Sequence, residues 1–319
     1  MLQTLDLSAP FFALVLLGFV AVRQKLLPET AVTGLNAYVL YFALPCMLWR
    51  LGSNTPIHTI VDPVLLIVYV SSALILIALT WGLSRRWGLA SGDCAMGALV
   101  AVFPNSGFLG LPLLISLLGS AASGPVMLTL WVDMVLTSSL CIALSGGMVG
   151  SVRTPSLLQQ SVALAKNVFT NPLPWAIIVG AAASAQGWSL PQPIDSTLEM
   201  LARSASPTAL FALGGVLAQV KVTQPAPQSD GVAGIALIKL LLHPLLVWAT
   251  AQVVLQSGVP ISPLSLETLV LVAALPSASN VVLLAFRQGA RQERIAKIVM
   301  ISTAWSFLSF SLIKAALDR

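Results

Sequence analysis

Residues 102–112 read Val102-Phe103-Pro104-Asn105-Ser106-Gly107-Phe108-Leu109-Gly110-Leu111-Pro112, and this stretch decides the fold. It lies in a run with no Asp, Glu, Lys, Arg or His between Asp93 and Asp133. The surroundings are as apolar as a membrane span, yet the centre carries two prolines, two glycines and an asparagine. Pro104 has no N–H and its ring clashes with the preceding turn, while Gly107 and Gly110 loosen the turns after it. Unwound backbone in lipid leaves amides and carbonyls unpaired, so it persists only where protein or an aqueous cavity receives it. A helix broken at mid-membrane is the expected mark of a transporter's binding site.

The composition of the whole chain agrees. Of 319 residues, 57% are hydrophobic and 8% charged, against about 25% charged in ordinary soluble domains. That leaves too little polar surface for a soluble protein of this size and predicts an integral membrane protein. The net charge of +5 does not indicate nucleic-acid binding, because the basic residues lie singly or in pairs between apolar runs and form no patch. Cys46, Cys94 and Cys141 fall in or beside predicted spans and make neither a disulfide framework nor a metal cluster.

Ten spans are predicted, at about 8–22, 31–50, 61–81, 92–119, 124–149, 168–186, 197–218, 232–256, 266–286 and 294–315. The first is expected to begin nearer Leu5, and the eighth to tilt or bend at Pro244. The N-terminus does not read as a signal peptide, since Asp6 precedes the apolar run and Arg23 and Lys25 follow it. Connections after odd-numbered spans hold eleven basic residues: Arg23, Lys25, Arg85, Arg86, Arg153, Lys166, Lys221, Arg287, Arg291, Arg294 and Lys297. The other side holds four, Arg50, Arg203, Lys314 and Arg319. The bias places both termini outside the cytoplasm, as an even number of spans requires.

The two halves echo each other. Pro45 in span 2 answers Pro207 in span 7; Pro104-Asn105 in span 4 answers Leu275-Pro276-Ser277-Ala278-Ser279-Asn280 in span 9; Trp131 answers Trp305. Five spans per half is an odd number, so the repeats are inverted: residues 1–150, a cytoplasmic linker 151–166, and residues 167–319. Spans 4 and 9 then run antiparallel, with their breaks meeting at the centre.

The candidate substrate site is built from Pro104, Asn105 and Gly107 of span 4 and Pro276, Ser277, Ser279 and Asn280 of span 9. Half-helix N-termini favour an anionic group, and a carboxamide both donates to a carboxylate and accepts from backbone. The alternative is a kinked span in which Asn105 repairs a lost bond. Asp133 is the acidic residue deepest in a span and defaults to a functional hypothesis: proton uptake, cation coordination or a salt bridge, set against a structural hydrogen bond or an aqueous vestibule. Lys239 and His243 share one helix face; Lys239 is expected to snorkel and His243 to satisfy a carbonyl loosened by Pro244, with a proton or substrate role as the alternative. Arg203 either draws anions into the outer mouth or anchors at the interface. Gly214-Gly215 and Gly146-Gly147 read as close helix packing. Walker, dinucleotide and zinc motifs are missing, so neither an enzyme nor a nucleotide-driven pump is expected; no cofactor is called for.

On Asn105-Ser-Gly-Phe-Leu-Gly-Leu-Pro112, Leu275-Pro276-Ser277-Ala278-Ser279-Asn280 and the span ending near Leu44-Pro45, the chain resembles the auxin efflux carrier family, most closely its bacterial malonate or organic-acid permeases. The resemblance implies an all-α membrane protein of ten helices in two inverted five-helix repeats, with broken helices 4 and 9 crossed, similar to bile-acid symporters and sodium/proton antiporters. It implies a scaffold of spans 1, 2, 6 and 7, a moving transport domain of the rest, and a carboxylate held beside Asn105, Pro104, Pro276 and Asn280. Some relatives dimerise, which raises a homodimer. The expectation is a secondary transporter of a small organic anion in a bacterial inner membrane, with Asp133 as coupling group and proton ahead of sodium. The alternatives are a sodium-coupled symporter of a larger amphipathic anion and a receptor that binds without turnover.

Overall fold

Cap and proline chemistry written into the sequence sets several helix starts. Asp62-Pro63, Asn171-Pro172 and Ser262-Pro263 each place a capping side chain before a proline in the first turn, and the side chain accepts amide bonds from that turn. Gly187, at φ 64°, closes the helix that Asn171 opens.

The computed structural model describes residues 2–145, 171–219 and 231–318, and these are all-α. The helices are α1 (Leu2–Arg23), α2 (Thr30–Ser53), α3 (Pro63–Arg86), α4 (Ser91–Val102), α5 (Ser106–Leu118), α6 (Ser120–Leu144), α7 (Pro172–Gln186), α8 (Gln192–Gln219), α9 (Val232–Gln256), α10 (Pro263–Ala274), α11 (Asn280–Arg287) and α12 (Gln292–Leu317). Among the described residues six helices (α2, α3, α6, α8, α9 and α12) are long and apolar enough to cross a membrane. A 24-residue helix such as α3 reaches about 36 Å, against a hydrocarbon core of about 30 Å. The chain is a polytopic helical membrane protein. α1 starts at Leu2, earlier than the expected Leu5. The linker 151–166, Gly146-Gly147, Arg153, Lys166 and Lys221 lie outside the described residues.

Proline also shapes helix interiors. π-helical turns at Val39–Ala43, Ser106–Gly110 and Ile238–Leu242 stand just before Pro45, Pro112 and Pro244. A proline ring collides with the carbonyl four residues back, here Tyr41, Phe108 and Leu240, each inside the widened turn. The expected bend at Pro244 takes this form. A fourth π turn, Asp133–Thr137, has no proline; instead the Thr137 and Ser138 hydroxyls both donate to the Asp133 carbonyl, at 2.8 and 2.7 Å.

α1, α2, α7 and α8 pack on one another through glycine. A methyl group on Gly18 would lie 1.9 Å from the Phe211 carbonyl oxygen, and one on Gly214 would lie 1.9 Å from that of Val15. A methyl on Gly180 would stand 2.5 Å from the Trp49 carbonyl oxygen, so α7 meets α2 in the same way. Small residues let backbones approach where lipid supplies no hydrophobic drive.

Candidate functional site

Pro104 ends α4 because it cannot donate to the Val100 carbonyl. That carbonyl receives the Ser277 hydroxyl instead, at 2.7 Å. The break between α10 and α11 answers it. The Asn105 amide donates to the Pro276 carbonyl at 2.8 Å, and the Ala278 amide to the Phe103 carbonyl at 3.0 Å. Pro104 and Ser277 thus form an isolated antiparallel bridge. Two stretches of unwound backbone, each costly alone in an apolar interior, satisfy each other. Side chains complete the pairing: the Ser277 amide donates to Ser302 Oγ at 3.2 Å, and Lys239 Nζ donates to the Ala273 carbonyl in the last turn of α10 at 2.8 Å. A cation at a helix C-terminus matches the dipole there.

A cavity of about 310 Å³ opens beside this junction. α5 begins at the buried Ser106 and α11 at the exposed Asn280, so two half-helix N-termini lie beside it. Pro104, Asn105, Gly107, Ser279 and Asn280 line it. Asn105 is 3% exposed, and its side-chain Nδ2 has no hydrogen-bond partner among the described residues. A buried, unpaired donor at the wall of a cavity is costly unless something enters to accept from it.

The remaining lining is apolar or neutral. Thr33, Asn36, Leu40 and Leu44 of α2 lie along one stripe at spacings of three, four and four, joined by Phe108, Leu130, Met134 and Gln292 among others. Sequence reasoning missed these residues; the only signal was a Thr and an Asn on one face of an otherwise apolar helix. Pro276 and Ser277 pair with the α4–α5 break and are not among the lining residues.

A second polar group is buried away from the cavity wall. Tyr69 OH donates to Asp133 Oδ2 at 2.8 Å, and Thr137 Oγ1 stands 3.3 Å from Asp133 Oδ1. Lys239 Nζ lies 2.9 Å from His243 Nδ1, and the Tyr69 and His243 rings are 6.0 Å apart at their centroids. Tyr69, Asp133, Lys239 and His243 are each fully buried. Lys239 therefore does not snorkel: its ammonium caps α10 and meets His243. His243 bonds to Lys239 where a backbone carbonyl was expected, and its Nε2 has no partner among the described residues. Asp133 adjoins Met134, which does line the cavity. Arg203 is far more exposed and pairs with Glu199, which also faces Arg50.

A family model described as membrane transport protein matches residues 6–314. A protein of Rhizobium meliloti (strain 1021) described as "Putative malonate transporter" is 28% identical over 309 residues, covering 96% of this chain and 93% of its own. An uncharacterized transporter of Methanothermobacter thermautotrophicus is 28% identical over 303 residues, covering 94% and 93%. Auxin efflux carrier component 8 of Arabidopsis thaliana is 22% identical over 294 residues, covering 76% and 79%.

Proposed function

The chain belongs to the membrane transport protein family, and from that premise we propose that it is a secondary transporter of a small organic carboxylate working by alternating access. It is a carrier and not an enzyme. The observation that carries the substrate class is Asn105: a buried carboxamide with an unpaired donor, placed where two half-helices present their positive ends to one cavity. The names of two relatives, which mention malonate and auxin efflux, support a carboxylate cargo.

In this reading the ten passes form two inverted five-helix repeats. The fourth pass is α4 with α5, and the ninth is α10 with α11. The glycine-packed α1, α2, α7 and α8 serve as scaffold, and the remaining helices carry the crossing past them in an elevator movement. The excess of basic residues after odd-numbered passes puts both termini outside the cytoplasm of a bacterial inner membrane. Thr33, Val216 and Gln292 lie at helix ends that adjoin those basic connections, so the cavity opens inward. At the opposite ends, Thr55 Oγ1 and Ser123 Oγ are 3.0 Å apart, and Gly124 packs directly on Thr59. That contact supports an inward-facing state closed on its outer side.

Asp133 is the coupling group, with a proton ahead of sodium. Its support is a fully buried carboxylate that holds Tyr69 and lies in the same buried cluster as Lys239 and His243. The next residue in the chain, Met134, faces the cavity.

The reading is tested by counterflow in proteoliposomes preloaded with one organic acid at a time and given no ion gradient. Saturable exchange that disappears in Asn105→Ala is the expected result. Binding without exchange would turn the reading to a receptor, and exchange untouched in Asn105→Ala would remove the crossing as its site.

A further inference from the structure

Resting on that carrier reading, we propose that the cargo is a carboxylate with a single negative charge on an apolar body, and that dicarboxylates are poor substrates. Charge decides between them. Each half-helix N-terminus is equivalent to roughly +0.5 elementary charge, so α5 and α11 together offer about one positive charge at the crossing. Asn105 and Asn280 add dipoles but no net charge. Among the described residues no Lys, Arg, Asp, Glu or His lines the cavity.

The two cations nearest in role are already engaged. Lys239 is fully buried and held by the Ala273 carbonyl and His243. Arg203 sits 80% exposed beside Glu199. A first carboxylate is therefore matched at the crossing. A second would rest among Leu40, Phe108, Leu130 and Met134, where an unpaired charge is strongly disfavoured. An apolar body suits the same wall. Beyond it the mouth turns polar and neutral at Thr33, Asn36 and Gln292, which tolerate a hydroxyl or carbonyl on the cargo's far end.

The test is counterflow of the full chain in proteoliposomes with each monoacid paired with a diacid of comparable size: isobutyrate against malonate, and phenylacetate against its ring-carboxylated analogue. At neutral pH each monoacid is expected to exchange at least tenfold faster than its partner. Malonate exchange should rise as the pH falls and it becomes a monoanion, by more than isobutyrate exchange changes over the same range. Leu40→Lys, which places a cation opposite the crossing, should narrow or reverse the preference. The malonate pH profile in the unaltered chain keeps the test open should that variant fail to fold. Asn105-dependent exchange of malonate at neutral pH, as fast as isobutyrate or faster, would overturn the inference and leave the carrier standing. Exchange of no acid at all would overturn both.

Discussion

Ser277 donates its hydroxyl to the carbonyl of Val100 at 2.7 Å, across 177 residues of chain. The acceptor is the one that Pro104, lacking an N–H, leaves without its helical donor. A break in one helix is thus repaired from the break in another. Removing the hydroxyl leaves a fully buried carbonyl unpaired, a loss of about 1–3 kcal/mol. Ser277→Ala should unfold at lower temperature in detergent, while Ser279→Ala, on the cavity wall, should change exchange more than stability. Equal thermal stability of Ser277→Ala and the parent would show that the bridge does not depend on this bond.

The contact of α1 with α8 leaves no room at two glycines. A methyl on Gly214 would lie 1.9 Å from the Val15 carbonyl oxygen, and backbone cannot yield as a flexible side chain can. Gly214→Val should destabilise the protein by about 1–3 kcal/mol or more, read as loss of folded monodisperse protein on heating. Gly34→Val, at a site with nothing within 4 Å, is the control and should cost far less.

Asp133 and Tyr69 share a buried hydrogen bond of 2.8 Å. If the carboxylate couples transport to a proton, Asp133→Asn flattens the pH dependence of gradient-driven uptake and keeps gradient-free exchange. Tyr69→Phe, which keeps the carboxylate but removes its donor, should displace the profile without flattening it. An unchanged profile in Asp133→Asn takes Asp133 out of the coupling.

In the proposed inward-facing state, outer closure rests on the contact of Gly124 with Thr59. A methyl there would stand 2.7 Å from the Thr59 carbonyl oxygen, so Gly124→Ala should hold the outer ends of α6 and the 54–61 connection apart. A cysteine at Thr55, 8% exposed in the parent, should then react faster with a membrane-impermeant maleimide applied from outside, and exchange should slow. Labelling at the parent's rate would mean that this contact does not set the outer closure.

Much of this architecture was legible in the sequence because it is enforced by local chemistry. Pro104 and Pro276 each remove a helical donor in an apolar run that also carries an asparagine or serines, and Pro244 distorts its own turn. Gly214 announces close packing for the same reason, since a missing side chain has few other uses there. The parts that were not legible depend on partners distant in sequence. Lys239 and His243 could be placed on one face from their spacing of four, but nothing local says that the Lys239 ammonium caps α10 at the Ala273 carbonyl. Ser277 read as a cavity residue like Ser279, because its partner Val100 is brought to it only by the crossing. Thr33 and Asn36 passed unnoticed, since a single Thr or Asn in a span ordinarily satisfies itself against its own helix.

The cargo's carboxylate is proposed to sit against Asn105 at the crossing, and the most direct measurement is of that distance. Solid-state NMR dipolar recoupling in proteoliposomes gives it, between the ¹³C-carboxyl of the fastest-exchanging acid and ¹⁵N-labelled asparagine side chains, with Asn105→Gln as the reference. The expected result is dephasing at hydrogen-bond range that weakens in Asn105→Gln, the difference being the contribution of Asn105. Cargo bound at saturation with no such dephasing in the parent protein would contradict it.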